Sequence, residues 1–281
     1  MKNYVSLIIA LLVIGCVPEF DPLPKGKDFI ITQSMVYQDR VDLSSFGVAR
    51  NQIIYASGIV CPTNQDEPLA EPALQAVAQT LQAGDLPTVI DIGRWSIYTK
   101  DSLQRKEHLH KLVFVVECLR KARPDLQFGY YGVVPQRVYE PLVDLKLTEW
   151  NAFNEAAKVD LVPHVDAVFP TLFTLYDDPK GWETFAINTL TESKRFNKPV
   201  YAVIWPKFHE SNPVLNGLYL PAAYWRLELE TCFRYCDGIV IWNYEPKINW
   251  NSNAGWWKET VAFMEAIHSP TAEQGWKQIM P

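Results

Sequence analysis

Apolar residues recur along this chain with two alternating periods, and the alternation predicts an α/β fold. Short runs rich in Val and Ile are typical of strands buried on both faces. Longer stretches between them carry apolar residues at helical spacing. Strands are predicted at 29–32, 53–59, 88–90, 128–134, 167–172, 200–205 and 238–242. Helices are predicted at 69–81, 103–122, 150–159, 182–196, 222–235 and 256–268.

Strand–helix alternation over this length implies a parallel sheet. No predicted strand is followed by a Gly-rich loop of the dinucleotide- or phosphate-binding type, which favours a closed barrel over an open Rossmann sheet. We therefore expect residues 28–281 to form a single distorted TIM-like (β/α) barrel of about seven parallel strands. Apolar residues make up 48% and charged residues 21% of the chain, as in an ordinary globular enzyme. A formal net charge of −6 without basic runs argues against a nucleic-acid partner.

The first residues predict targeting rather than fold. Lys2 precedes an apolar stretch too short to span a bilayer, and the stretch ends in Val13-Ile-Gly-Cys16, which resembles the bacterial lipobox. We expect residues 1–16 to be a lipoprotein signal peptide, with lipid attached to Cys16, and residues 17–27 to be a Pro-containing tether. The chain would then be membrane-anchored at the outer membrane or cell surface, on the periplasmic or extracellular side. The pairing of the other cysteines cannot be read from the sequence; they are Cys61, Cys118, Cys232 and Cys236.

An acid, Asp91, directly follows the buried strand at 88–90. The carboxyl ends of barrel strands are where α/β barrels hold their chemistry, so Asp91 is a candidate catalytic residue. The alternative is that it caps the next segment. Burial would raise the pKa of Asp91 and nearby Arg94 would lower it, and the sequence leaves that balance open.

Aromatic residues stand at or near the other predicted strand ends. Acids ringed by aromatic side chains suit carbohydrate chemistry, whereas core packing is the alternative for each ring. We expect a glycan as substrate or ligand, Glu245 as a second candidate acid, and sugar-binding rings at Trp95, Tyr131, Phe173, Trp205 and Trp242.

Other polar clusters carry less information. His108 and His110 are two apart on a predicted helix and point to different faces, so they do not indicate a metal pair. Neither zinc nor phosphate-loop spacing occurs, and we expect no metal and no cofactor. His209 and Glu210 follow the strand that ends at Trp205, where the pattern favours a solvated loop over the wall of a cleft.

Five segments in order resemble motifs of the hyaluronidase-type glycoside hydrolases. They are VIDIGRW at 89–95, FGYYG at 128–132, DAVFPTLF at 166–173, PVYAVIWPKFH at 199–209 and DGIVIW at 237–242. The resemblance runs from about Phe29 to His268. It implies a distorted barrel of about seven strands and a glycan that contains N-acetylhexosamine. It also implies that Asp91 orients the 2-acetamido group and that Trp242 lines the substrate.

The chain departs from this family at the proton donor. The family's acid/base glutamate stands two residues after the aspartate, where this chain has Gly93, and Phe173 replaces a tyrosine. Three hypotheses follow. The chain is a glycosidase with a relocated acid, Glu245 beside Asp91; it is a carbohydrate-binding barrel that has lost catalysis; or it performs another reaction on the same scaffold.

Overall fold

The computed structural model describes residues 23–24, 26–136 and 144–268. The strands are β1 (Ile30–Gln38), β2 (Ala49–Arg50), β3 (Ile53–Tyr55), β4 (Val60–Cys61), β5 (Asn64–Pro68), β6 (Thr88–Asp91), β7 (Phe128–Tyr130), β8 (Tyr201–Ile204) and β9 (Gly238–Asn249). The helices are α1 (Glu71–Gln79), α2 (Ser102–Ala122), α3 (Asp144–Asp160), α4 (Pro179–Lys194), α5 (Ala222–Tyr235) and α6 (Gly255–His268). Cys16 and residues 17–22 and 25 of the predicted tether lie outside the described residues. Within the described residues, no helix is both long enough and apolar enough to cross a membrane.

Two parallel sheets form the centre of the fold, and they confirm the prediction of an α/β protein with parallel strands. One has the order β2-β1-β9-β8 and the other the order β3-β6-β7. The strands β4 and β5 form a separate antiparallel hairpin that the sequence pattern did not predict. The predicted strand at 53–59 ends early, because a 3₁₀ turn at Ala56–Gly58 follows β3.

The closed seven-stranded barrel is not confirmed, since the strands are divided between two sheets. The predicted strand at 167–172 is an extended segment held by isolated bridges, Tyr131 to Phe169 on one side and Val168 to Val200 on the other. Pro170 interrupts this segment, and a proline has no N–H to give to a sheet ladder. The segment between β2 and β3 makes one hydrogen bond to each sheet. Asn51 N donates to Gln33 O of β1 at 3.0 Å, and Gln52 O accepts from Val89 N of β6 at 2.9 Å.

Alternation along the strands separates two apolar clusters. On β6, Val89 points into an inner cluster between the sheets, while Ile90 points to an outer cluster under the helices. The same alternation places Val240 of β9 in the inner cluster and Ile239 in the outer one. Because alternate side chains face inward, the inner cluster continues to the carboxyl ends of the strands.

Two helices begin at aspartates whose side chains cap them. Asp101 accepts hydrogen bonds from Leu103 N and Gln104 N at the start of α2, and Asp178 accepts one from Gly181 N at the start of α4. Near the amino ends of the strands, the Lys27 ammonium donates to Phe233 O and Cys236 O at the end of α5. The cysteines of the described part of the chain are free thiols, at Cys61, Cys118, Cys232 and Cys236.

Candidate functional site

A cavity of about 220 Å³ opens at the carboxyl ends of the parallel strands. Several residues that the sequence analysis singled out come together there. The cavity is lined by Ile53, Val89, Asp91, Tyr131, Phe173, Val203, Trp205, His209, Glu210, Val240 and Trp242. The convergence follows from the topology, because parallel strands bring their carboxyl ends to one side of the sheet.

Asp91 is the last residue of β6 and faces Tyr55 of β3 in the strand register. Burial raises the pKa of the Asp91 carboxyl. Burial is the cause of this shift, and the Arg94 guanidinium is directed elsewhere, donating to Gln65 Oε1 at 2.7 Å. Burial also raises the pKa of the Tyr55 phenol, and the charge of Asp91 adds to that effect.

Aromatic rings form the walls of the cavity around Phe173. Its ring centroid lies 5.5 Å from that of Trp205 and 5.6 Å from that of Trp242. The two tryptophan rings stand 5.1 Å apart at 80° to each other. The Trp205 indole N–H is bonded to Asn243 Oδ1 at 3.0 Å, so that ring is held in one orientation.

Trp95 is placed differently from the other expected sugar-binding rings. It is only 5% exposed and belongs to the outer apolar cluster. Its indole N–H donates to Asp66 O of the β4–β5 hairpin at 2.9 Å. Trp95 borders a neighbouring cavity instead of the one that Asp91 shares with Trp205 and Trp242. Its contacts are those of a side chain that anchors the hairpin.

Glu245 is also absent from the residues that line the Asp91 cavity. One carboxylate oxygen forms an ion pair with Lys207, whose side chain is 9% exposed. The other accepts a hydrogen bond from Tyr219 Oη at 2.9 Å. Both oxygens are therefore engaged within the protein.

His209 and Glu210 line the cavity, so they do belong to the wall of the cleft, although Glu210 is exposed in a turn as a solvated loop would have it. After β8 the chain continues as an extended segment and bridges Thr174 at Phe208. The sequence signal for this path is the apolar residue directly before His209. That residue, Phe208, is buried in the structure. With the strand predicted to end at Trp205, the pattern favoured a solvated loop for both residues over the wall of a cleft.

The cavity continues on both sides into adjoining spaces. A cavity of about 400 Å³ shares Asp91 and Tyr131 with it. Another, of about 900 Å³, shares Ile53 and Trp242 and extends to Tyr55 and Tyr244. Together the three spaces make a cleft longer than one sugar. Among the described residues, no group of three or more His, Cys, Asp or Glu side chains is placed to hold a metal ion.

No protein-family model matches the chain, and no curated protein matches it in sequence. Among solved structures, bee venom hyaluronidase is similar with a TM-score of 0.56 and 13% identity, over 84% of this chain and 96% of that chain. Bee venom hyaluronidase in complex with a hyaluronic acid tetramer gives a TM-score of 0.55 and 12% identity, over 84% and 95% of the two chains. A GH18 chitinase from Pseudoalteromonas aurantia gives a TM-score of 0.46 and 11% identity, over 83% of this chain and 99% of that chain. At this identity the likeness is one of fold, and the chain has a glycoside hydrolase-like fold.

Proposed function

We propose that this chain acts on a glycan as a glycoside hydrolase, with Asp91 as a reacting carboxyl group. One observation carries the proposal: a partly buried carboxyl group, with its pKa raised by burial alone, borders a cavity walled by aromatic rings. Glycosidases use a carboxyl group of this kind to protonate the leaving oxygen or to stabilise the cation that develops.

The substrate class follows from the walls of the cavity. Sugar rings present apolar faces that pack on tryptophan and tyrosine rings, and Tyr131, Trp205 and Trp242 offer such surfaces. The motifs at 89–95 and 237–242 and the fold likeness to bee venom hyaluronidase support a glycan that contains N-acetylhexosamine. We further propose that the two parallel sheets form one distorted barrel, joined at 167–172 and at Asn51.

The test is hydrolysis of a panel of glycans by the wild-type chain and by Asp91→Asn. Asn keeps the shape of the side chain but cannot transfer a proton, so turnover is expected to fall by at least about 10²-fold while glycan binding persists. Asp177→Asn is the matched control, because Asp177 is an exposed acid that lines none of the three spaces of the cleft. Equal turnover by Asp91→Asn and wild type would contradict the proposal.

A second candidate function is glycan binding without turnover. It is favoured by Gly93, which stands where the resembling family has its acid/base glutamate. A Cβ added at Gly93 meets no atom within 4 Å, so the backbone leaves room for a side chain to begin at this position. If wild type binds but does not cleave an N-acetylhexosamine polymer, Gly93→Glu is expected to gain hydrolysis. Continued inactivity of that variant would favour a cleft rebuilt for binding.

We also propose that lipid on Cys16 anchors the chain at the outer membrane or cell surface. The lipobox-like Val13-Ile-Gly-Cys16 supports this. In Cys16→Ala, lipid labelling should be lost and the precursor should remain uncleaved at this position. Normal processing and unchanged membrane fractionation of the variant would refute the anchor.

A further inference from the structure

The turn that carries Glu210 is fixed against the wall of the cavity. His209 N donates to Thr174 O at 2.8 Å, and Asn212 Nδ2 donates to Leu175 O at 2.7 Å. Asn212 N also closes the turn on His209 O at 2.9 Å. Glu210 lies between these anchors, so its backbone position is set before any ligand binds.

The ring of His209 adds to this anchoring. Its centroid lies 6.0 Å from that of Phe173 and 6.2 Å from that of Trp205, both of which line the cavity. The backbone N–H of Ser211 donates to His209 Nδ1 at 3.1 Å. The residue directly before Glu210 is thus packed into the aromatic wall.

Asp91 and Glu210 approach one cavity from different strands. Asp91 ends β6 and Glu210 follows β8, while β7 and the extended segment 167–172 lie between those strands. Both residues line the same space of about 220 Å³. A sugar held against Trp205 and Trp242 would therefore have a carboxyl group on each of two walls.

We propose that Asp91 and Glu210 are the carboxyl pair of this site, Asp91 as the proton donor and Glu210 as the base. The inference rests on the proposed glycosidase function and names the second group that this chemistry requires. It replaces Glu245, whose oxygens are engaged by Lys207 and Tyr219.

The two environments favour these roles. Burial raises the pKa of Asp91, which keeps its proton available to a leaving group. Glu210 is exposed, and a solvated carboxylate is free to accept a proton from water. Pairs of acids whose surroundings differ in this way divide into donor and acceptor.

The reaction balances with water as the only co-reactant. The Asp91 carboxyl gives its proton to the glycosidic oxygen as the bond from that oxygen to the anomeric carbon breaks, and the electron pair goes to the oxygen. Glu210 takes a proton from a water molecule, whose oxygen forms the new bond to the anomeric carbon. Exchange with solvent then returns a proton to Asp91 and removes one from Glu210.

The experiment compares leaving groups on whichever oligosaccharide the wild-type chain cleaves. One substrate carries the natural sugar leaving group and the other a 2,4-dinitrophenyl group, which departs without a proton. Asp91→Asn should lose at least about 10²-fold in kcat on the sugar and recover most of it on the dinitrophenyl substrate. Glu210→Gln should lose at least about 10²-fold on both substrates. Azide, which attacks the anomeric carbon without a base, should restore turnover to Glu210→Ala.

Folding and binding are measured for each variant, with Asp177→Asn as the control for removal of an exposed acid. Glu210 is exposed, so neither Gln nor Ala at this position should change the unfolding temperature. If wild type cleaves and Glu210→Gln matches it, the pair is overturned while the proposed function stands. If only Glu245→Gln lost turnover, the assignment of Asp91 and Glu210 as the carboxyl pair would likewise be overturned. If wild type cleaves no glycan, both the pair and the proposed function fail.

Discussion

At the scale of single residues, Asp91 links activity to stability. Its carboxyl group is partly buried and has no ion-pair partner within the described part of the chain, so its charged form is disfavoured in the folded state. The folded protein therefore holds this proton more tightly than the unfolded chain does. Stability from this group is fully present below the unfolded pKa and is lost as the pH rises through the raised folded pKa.

We therefore predict that Asp91→Asn is more stable than wild type at neutral pH. Asn occupies the same space without a charge to desolvate. The advantage should shrink as the pH falls towards 3.8, the ordinary pKa of an aspartate side chain, because the Asp91 carboxyl group of the wild-type protein is then also neutral. Thermal unfolding of both proteins between about pH 4 and pH 8 measures the difference. A difference that does not change with pH would show that Asp91 is not desolvated.

At the scale of elements, the β4–β5 hairpin is held by donors from outside it. Asp66 O accepts from the Trp95 indole at 2.9 Å and from the Lys111 ammonium at 2.8 Å. Lys111 belongs to α2 and is itself 7% exposed. The hairpin is thus tied to α2 through the Asp66 carbonyl group and through the ion pair of Lys111 with Glu67 at 3.1 Å.

Trp95→Phe tests whether this ring anchors the hairpin or binds sugar. The change removes the indole N–H and part of the buried ring, so the free energy of unfolding should fall by about 1–3 kcal/mol. Glycan affinity should stay near the wild-type value, whereas Trp242→Phe should weaken it. Chemical denaturation and calorimetric titration give the two quantities. Weakened binding at unchanged stability would instead make Trp95 a sugar platform.

The elements also show what could be read from the sequence. The strands that lead to Asp91, Tyr131 and Trp242 could be predicted, because a local apolar run marks each strand and parallel strands share an edge. Their ends were less accurate, since β7 ends at Tyr130 instead of 134 and β9 continues past Trp242 to Asn249. The positions of Trp95 and Glu245 could not, because each is fixed by a distant partner, Asp66 in one case and Lys207 in the other.

The position of Glu210 at the cavity could not be predicted from the sequence either. Its place at the cavity depends on bonds from His209 to Thr174 and from Asn212 to Leu175, more than 30 residues away along the chain. No local period records such contacts. The division of the strands into two sheets was equally hidden, although Pro170 is the visible residue that breaks the ladder at 167–172.

At the scale of the whole molecule, the three adjoining spaces run across the carboxyl ends of both sheets. Trp242 belongs to two of them, and beyond it Tyr244 is 62% exposed. An exposed aromatic ring at the far end of a cleft offers a surface to sugars that a short ligand does not reach.

Affinity is therefore expected to rise with glycan length. Tyr244→Ala should weaken binding of a long oligosaccharide while leaving a disaccharide at the central cavity unaffected. Titration of wild type and variant with a length series measures this, with Tyr235→Ala as a control for an exposed tyrosine outside the three spaces of the cleft. Equal losses for every length would contradict a role for Tyr244 that is confined to long glycans.

The contact of Lys27 with the end of α5 fixes where the chain enters the fold. The Lys27 ammonium binds Phe233 O and Cys236 O next to the amino end of β9. Asp91 ends β6, and Trp242 directly follows the part of β9 that pairs with β8, so both lie away from that entry point. A chain tethered through Cys16 would therefore be held from the side opposite its cleft. The stretch from Cys16 to Lys27 spans at most about 40 Å when fully extended. The cleft would be directed outward, towards glycans of the surroundings, and its own membrane would not obstruct the approach of a long polymer.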